Sequence, residues 1–186
     1  YGTLQAKGVT PAPRTDDYEF IRRVTLDLTG RIPTPDRVTQ FLADGRVNKR
    51  EMLVDELLAK SDWVDKWTMF YGDLFKNNSV NTNIRREGEG VAAFYNWIYT
   101  SLATGKPYST MATELITATG TNSYTQGDLN WLIGYLVTGG PPQDIWDSQA
   151  SNTVQTFLGI SHLNCLLCHN GRGHLDSLSL WGGQQT

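Results

Sequence analysis

Capped segments with a helical apolar period fill most of this chain, and they constrain its fold more than any other feature. The clearest segment is PTPDRVTQFLADG at 33–45, where Thr34 is the N-cap, Pro35 the first helical residue and Gly45 the terminator. The preceding segment, TDDYEFIRRVTLDLTG, has the same order of cap, apolar stripe and final glycine. Strand signals are nearly absent. The sequence therefore predicts an all-α fold.

The remaining segments bring the prediction to a loop-rich domain of about seven or eight helices. The polar stretch at 77–90 has no apolar period and is predicted to be a surface loop. The run DLNWLIGYLVTGG fits a short apolar helix or a buried strand, and we interpret it as a helix. The helical segments lie at 15–30, 33–45, 48–61, 61–75, 91–105, 109–120, 128–140 and 141–165.

Length and charge exclude several classes of protein. At 186 residues, the chain is long enough to form one domain, 1–186, without a disulfide framework. Its 16 Lys and Arg and 19 Asp and Glu are scattered, so no nucleic-acid groove is predicted. The longest apolar run, WLIGYLV, is shorter than the ~20 residues of a membrane span. Because the chain starts at Tyr1 and stops in WGGQQT, we expect it to be a fragment of a longer protein.

The stretch LNCLLCHNGRGHLD, at 163–176, contains both cysteines of the chain and two of its three histidines. Cys165 and Cys168 form a C-x-x-C that His169 follows directly. This is the spacing of c-type haem attachment, in which the thiols form thioethers with the porphyrin vinyl groups and the histidine binds the iron. The sequence therefore favours one covalent haem c at the C-terminal end of the domain.

Three other interpretations of this motif stay open. A zinc site needs about four ligands, and His162 and His174 would have to join Cys165 and Cys168 in it. A thioredoxin-like pair normally begins a helix after a strand, whereas this pair follows a predicted helix. The third interpretation is a buried pair of thiols that has this spacing by chance. Haem is favoured because it gives every residue of the motif a role.

Four stretches of the sequence resemble one bacterial family. They are RRVTLDLTGRIPTPDRVTQFLAD, LVDELLAKSDWVDKW, GKPYSTMATELITATG and FLGISHLNCLLCHN. Together they resemble the planctomycete-type cytochrome domain, a family of unknown function with one haem-attachment motif, from about Tyr18 to the end of the chain. The resemblance implies haem attachment at Cys165, Cys168 and His169, and it supplies no substrate.

The residues just after the motif supply further candidates for the haem site. Where C-H-D-H-P-F-D is common in the family, this chain has Arg172 before His174. Arg172 is the favoured partner for a haem propionate. His174 is the favoured second axial ligand of the iron, because the chain from His169 is just long enough to reach the opposite face. The other candidates are, for the propionates, Arg22, Arg23 and Arg31 and, for the iron, Met52, Met69, Met111 and His162.

Three functions fit a domain with one haem c. Transfer of single electrons is favoured, because no distal His-Arg arrangement has a recognisable spacing. The alternatives are a haem enzyme of peroxidase or dehydrogenase type and a domain whose haem only holds the helices together. An electron carrier implies a redox protein partner or a neighbouring haem subunit, in a larger complex if the chain is a fragment. Because bacterial haem ligation operates outside the cytoplasmic membrane, the expected location is the periplasm or the cell surface.

The apolar stripes also predict which large side chains are buried. Four tryptophans on these stripes are expected in the core, and a haem-free chain is expected to lose packing around three apolar residues near the motif. The tryptophans are Trp67, Trp97, Trp131 and Trp146, and the three residues near the motif are Phe157, Leu158 and Leu163.

Overall fold

The computed structural model describes residues 2–78, 84–136, 142–161 and 163. Within these ranges, regular structure is entirely helical apart from one isolated antiparallel β-bridge between Ile84 and Tyr135. The prediction of an all-α fold with about seven or eight helices is confirmed. The α-helices are α1 (Gly2–Ala6), α2 (Asp17–Thr29), α3 (Pro35–Ala43), α4 (Lys49–Leu58), α5 (Ser61–Leu74), α6 (Gly88–Ala103), α7 (Tyr108–Thr117) and α8 (Pro142–Leu158), and a 3₁₀ helix spans Gly127–Trp131.

The chain divides into two compact units, an N-terminal unit Tyr1–Lys66 and a C-terminal unit Trp67–Thr186. The boundary falls inside α5, so this helix contributes residues to both units. The single domain 1–186 stays a prediction. In the part of the chain that the structure describes, no helix has both the length and the apolar character needed to cross a membrane.

In the N-terminal unit, helix ends follow the capping residues of the sequence. The Asp16 carboxylate accepts a backbone hydrogen bond of 2.8 Å at the start of α2, which ends at Gly30 with a left-handed φ of 71°. Thr34 Oγ1 caps α3 in the same way, although α3 ends before the predicted glycine terminator. The buried apolar side chains of this unit are Ile21, Phe41, Leu53 and Leu57.

The C-terminal unit has a core that is rich in aromatic side chains. It is formed where the end of α5, the inner faces of α6 and α7, and the 3₁₀ helix meet. Trp131 is fully buried, as predicted, whereas Trp97 is partly buried and packs against the edge of this core. The buried residues of the core are Phe75, Phe94, Ile98, Met111, Leu115 and Trp131.

Gly127 allows the 3₁₀ helix to lie directly on α6. A Cβ atom at this position would be 2.3 Å from the carbonyl oxygen of Ala93 and 2.6 Å from Cβ of Trp97. Both distances are far below van der Waals contact, so only glycine permits this approach. The close packing fixes the position of Trp131 in the core and of the carbonyl group of Asn130 beside it.

The prediction of a helix at 128–140 is wrong for the residues of this stretch that the structure describes. Only the 3₁₀ helix forms, and residues 137–140 lie outside the described ranges. The helix cannot continue because Gly134 has a left-handed φ of 86°. The backbone then extends, and Tyr135 pairs with Ile84 in the β-bridge.

Two predictions about burial are also wrong. The prediction that 77–90 lies at the surface is wrong for Ile84 and Arg86, which are buried because Ile84 pairs with the segment after the 3₁₀ helix, while 79–83 lie outside the described residues. Trp146 was expected in the core and is 61% exposed. Helix α8 instead uses its second half for packing, where Ser151 is buried and Phe157 contacts the core.

We expect Gly127→Ala to lower the free energy of unfolding by about 1–3 kcal/mol, because the new methyl group would force α6 and the 3₁₀ helix apart. Urea denaturation of both proteins measures this change.

Gly72→Ala is the matched control in the same unit. A Cβ atom at Gly72, within α5, meets nothing within 4 Å. This substitution should leave stability unchanged or raise it by up to about 1 kcal/mol, because alanine favours a helix. Equal losses in the two variants would contradict the close approach at Gly127.

Candidate cofactor site

The residues of the predicted haem site lie outside the part of the chain that the structure describes. They are Cys165, Cys168, His169, Arg172 and His174. The roles assigned to them therefore stay predictions, as does the zinc alternative. The structure does describe the helix that leads to the motif and the core against which this helix packs.

Phe157 attaches the C-terminal end of α8 to the aromatic core. The centroid of its ring is 5.2 Å from that of Trp131 and 6.0 Å from that of Phe75. Tyr108, at the start of α7, completes the contact with a centroid distance of 6.4 Å. Edge and tilted ring contacts of this kind add to the stabilisation from apolar burial. The segment that carries the motif therefore begins from a fixed point on the core.

Beyond Phe157, apolar side chains are exposed. Helix α8 ends at Leu158, and Gly159 has a left-handed φ of 71°. The predicted helix at 141–165 thus stops before the cysteines, because glycine in this conformation ends a helix. Leu158 is 67% exposed and Ile160 is 40% exposed. An apolar cofactor attached at the motif would find apolar side chains close by in the sequence.

Arg86 is a buried cation in the same unit, with 5% of its surface exposed. Its Nε donates a hydrogen bond of 2.7 Å to the carbonyl oxygen of Asn130, and its Nη1 donates to the carbonyl oxygen of Lys76. The guanidinium carbon lies 5.6 Å from the centroid of the Phe94 ring. The Nη2 atom is buried and has no hydrogen-bond partner among the described residues.

Two unusual backbone positions hold Arg86 in place. Lys76 has a φ of 54° in the turn that ends α5, and it is the only non-glycine residue with positive φ in the described ranges. The amides of Lys76 and Asn77 bond back to Asp73 and Gly72, so this turn is a Schellman motif with lysine where glycine is usual. A left-handed lysine costs about 1 kcal/mol or more. This conformation presents the Lys76 carbonyl group to Arg86.

Gly134 is the second of these positions. Its carbonyl oxygen accepts a hydrogen bond of 2.7 Å from the amide of Arg85. A Cβ atom at Gly134 would be 2.8 Å from Cγ of Arg86, and its φ of 86° already disfavours other residues. The Arg86 side chain therefore occupies space that only glycine leaves open.

Arg86 and Lys76 form a positive cluster that has no counter-ion among the described residues. Burial lowers the pKa of Arg86 to about 10, so the group is still protonated at neutral pH. Burial, and then the charge of Arg86, also lower the pKa of Lys76. Lys76 Nζ donates a hydrogen bond to Oδ1 of Asn152, in α8, which connects the cluster to the helix that leads to the motif. Among the described residues, no carboxylate forms an ion pair with either cation.

Beside this cluster, Tyr135 is a second polar group that has no partner in the part of the chain that the structure describes. Its hydroxyl oxygen is buried and makes no hydrogen bond among the described residues. Burial raises the pKa of Tyr135 to about 12, although the charge of Arg86 opposes the rise. A protonated hydroxyl and an unpartnered guanidinium nitrogen are both donors. Such donors fit a ligand that carries a carboxylate, and haem is such a ligand because of its propionate groups.

The arginines that the sequence suggested for propionates are placed differently. Arg23 pairs with Glu19 at 3.1 Å and Arg31 with Asp62 at 2.6 Å, both in the N-terminal unit. Arg22 is exposed. Arg86 was not predicted, because 77–90 lacks an apolar period. The one sequence signal for its burial is Ile84, an isolated apolar residue two positions before it.

The methionines differ strongly in exposure. Met111 is buried in the core of the C-terminal unit, where it packs as an ordinary core residue. Met69 is 62% exposed on α5, and Met52 lies in the N-terminal unit.

A family model with the description "PSCyt2: Protein of unknown function (DUF1549)" matches residues 1–175. Because the match covers nearly the whole chain, the protein belongs to this family, a domain found in planctomycete-type proteins. No curated protein and no solved structure matches the chain.

We expect Phe157→Ala to lower the free energy of unfolding by about 2 kcal/mol, less than for a fully buried phenylalanine because the side chain is only partly buried. Thermal or urea unfolding of the haem-free chain measures this loss. The adjacent substitution Leu158→Ala should change stability by less than about 0.5 kcal/mol, because Leu158 is mostly exposed. A larger loss for Leu158→Ala would mean that α8 packs through a different face.

Proposed function

We propose that this chain is a c-type cytochrome domain that transfers single electrons through one covalently attached haem. The observation that carries the proposal is the C-x-x-C-H of Cys165, Cys168 and His169, which lies in the sequence after α8, the helix attached to the core through Phe157. A structural zinc site normally organises a small domain of its own. Here a core that already contains Trp131 precedes the motif, so no metal is needed to form it.

The residues of the motif would each have one role. The thiols of Cys165 and Cys168 would hold the porphyrin as thioethers, and the imidazole of His169 would bind the iron. Bound in this way, the haem supplies a one-electron couple between the ferric and ferrous states of its iron. Leu158 and Ile160 support the proposal, because exposed apolar side chains before the motif would lose contact with water against the porphyrin.

His174 would be the second residue of this chain that binds the iron. The rivals are Met69 and Met111, of which Met111 would have to leave the core in order to bind the iron. Two imidazole ligands would give the domain a lower potential than a histidine and a methionine. Arg172 is proposed to lie near a propionate, because it follows the proximal histidine by three residues.

The proposed function includes a partner and a location. A domain that carries one electron needs a redox protein or a neighbouring haem subunit to donate and accept it. Because covalent haem attachment in bacteria takes place outside the cytoplasmic membrane, we propose the periplasm or the cell surface as its location. Cys165 and Cys168 would then be protected from disulfide formation by their bonds to the haem.

Substitution of the motif tests the attachment. In a bacterial host that ligates haem c, Cys165→Ala or Cys168→Ala should reduce or abolish the haem that stays with the chain in denaturing gels. His169→Ala should lose the proximal bond, and with it the low-spin spectrum and most of the redox activity.

The control is His162→Ala, which removes a histidine from the same segment but leaves the motif intact. It should bind haem as the unaltered chain does. Equal haem content in all of these variants would rule out attachment at the motif.

The distal ligand is tested by spectroscopy of the oxidised protein. His174→Ala should convert a low-spin spectrum into a high-spin one, whereas Met69→Leu and Met111→Leu should leave it low-spin. An unchanged spectrum in His174→Ala, together with the far-red charge-transfer band of iron bound by methionine sulfur, would assign the position to a methionine.

A further inference from the structure

We infer that Arg86 is the buried counter-ion of a haem propionate, with the Tyr135 hydroxyl as a second donor to the same carboxylate. The inference rests on the proposed function, since the propionate belongs to the haem. It adds a residue that is far from the motif in sequence to a site whose favoured residues all lie in the C-terminal segment.

The first observation behind this inference is that Arg86 is buried and has no carboxylate partner among the described residues. Removing a guanidinium from water is strongly unfavourable unless a partner of opposite charge lies beside it. Two backbone carbonyl groups and the face of Phe94 satisfy part of Arg86, but they carry no full negative charge. Lys76 makes the need for an anion greater, because its charge lies in the same cluster.

The second observation is that the chain fixes the direction of the guanidinium. The carbonyl groups of Asn130 and Lys76 accept hydrogen bonds from Nε and Nη1. Nη2 is thus the guanidinium nitrogen that has no acceptor among the described residues. A left-handed lysine and a left-handed glycine, Gly134, are both needed for this arrangement. Costly backbone conformations that orient a polar group are typical of ligand sites.

The cluster is also connected to the helix that leads to the haem motif. Lys76 Nζ donates to Asn152 in α8, and Arg86 bonds to the residue that precedes Trp131, against which Phe157 packs. The same helix thus contacts the cluster near its middle and the core at its end.

One residue of the chain itself is a rival for this anion. Asp176 is the only side-chain carboxylate in the stretches 79–83, 137–141 and 164–186, which lie outside the described residues. We favour the propionate, because a carboxylate that belongs to the cofactor explains why the cation has no partner among the described carboxylates.

The experiment compares haem-loaded variants of the full chain. Arg86→Met removes the charge, Arg86→Lys keeps the charge but loses the forked donor, and Tyr135→Phe removes only the hydroxyl. The matched control is Arg85→Met, which removes the same charge from the adjacent, exposed position. The measurements are covalent haem content, the midpoint potential at neutral pH, and the propionate bending mode in the resonance Raman spectrum.

We expect Arg86→Met to lower the potential, because an uncompensated propionate favours the ferric state, and to shift the propionate mode. Arg86→Lys should shift the mode, because an ammonium group cannot replace the forked donor of arginine. The potential should stay close to that of the unaltered chain, because the positive charge is kept. Tyr135→Phe should shift the mode, and Arg85→Met should change neither quantity.

A propionate mode that is unchanged in both Arg86→Lys and Tyr135→Phe would overturn the inference and leave the proposed function intact. These two conservative variants decide the question alone if Arg86→Met does not fold. Asp176→Asn and Arg86→Met can also be combined. If each single variant lowers the free energy of unfolding by the same amount and the double variant lowers it no further, the anion is Asp176 and the inference is wrong. An unaltered chain without haem would overturn both proposals, and haem content separates that result from the others.

Discussion

The contact between Phe157 and the aromatic core is the interaction on which the proposed site depends. Trp131 can accept the Phe157 ring only because Gly127 lets the 3₁₀ helix lie against the backbone of α6. The same close approach places the carbonyl group of Asn130 where Arg86 can bond to it. The close packing at Gly127 therefore fixes both the position of the C-terminal end of α8 and the direction of the Arg86 guanidinium.

Helix ends were predictable because their signals are local. Asp16 and Thr34 cap amides only three residues ahead, so the pattern of a few neighbouring residues fixes the starts of α2 and α3. The motif at the C-terminal end was equally visible, because Cys165 and its partners are adjacent in sequence. These features need no knowledge of the tertiary structure.

Arg86 could not be predicted in the same way. Its hydrogen-bond acceptors are 10 and 44 residues away in sequence, and both depend on how separate helices pack. A polar loop that contains an arginine normally lies in water, and nothing near Arg86 contradicts this except one apolar neighbour. Trp146 shows the opposite error, because an aromatic residue on a helical stripe is buried only if that part of the helix has a partner.

The central claim is that the C-x-x-C-H motif carries haem. The most direct measurement is the intact mass of the chain, produced in a host that ligates haem c, together with its pyridine haemochrome spectrum. A mass increased by one haem, with a c-type spectrum that survives denaturation, is the predicted result. Stoichiometric zinc with no porphyrin absorption, at the mass of the bare chain, would contradict it.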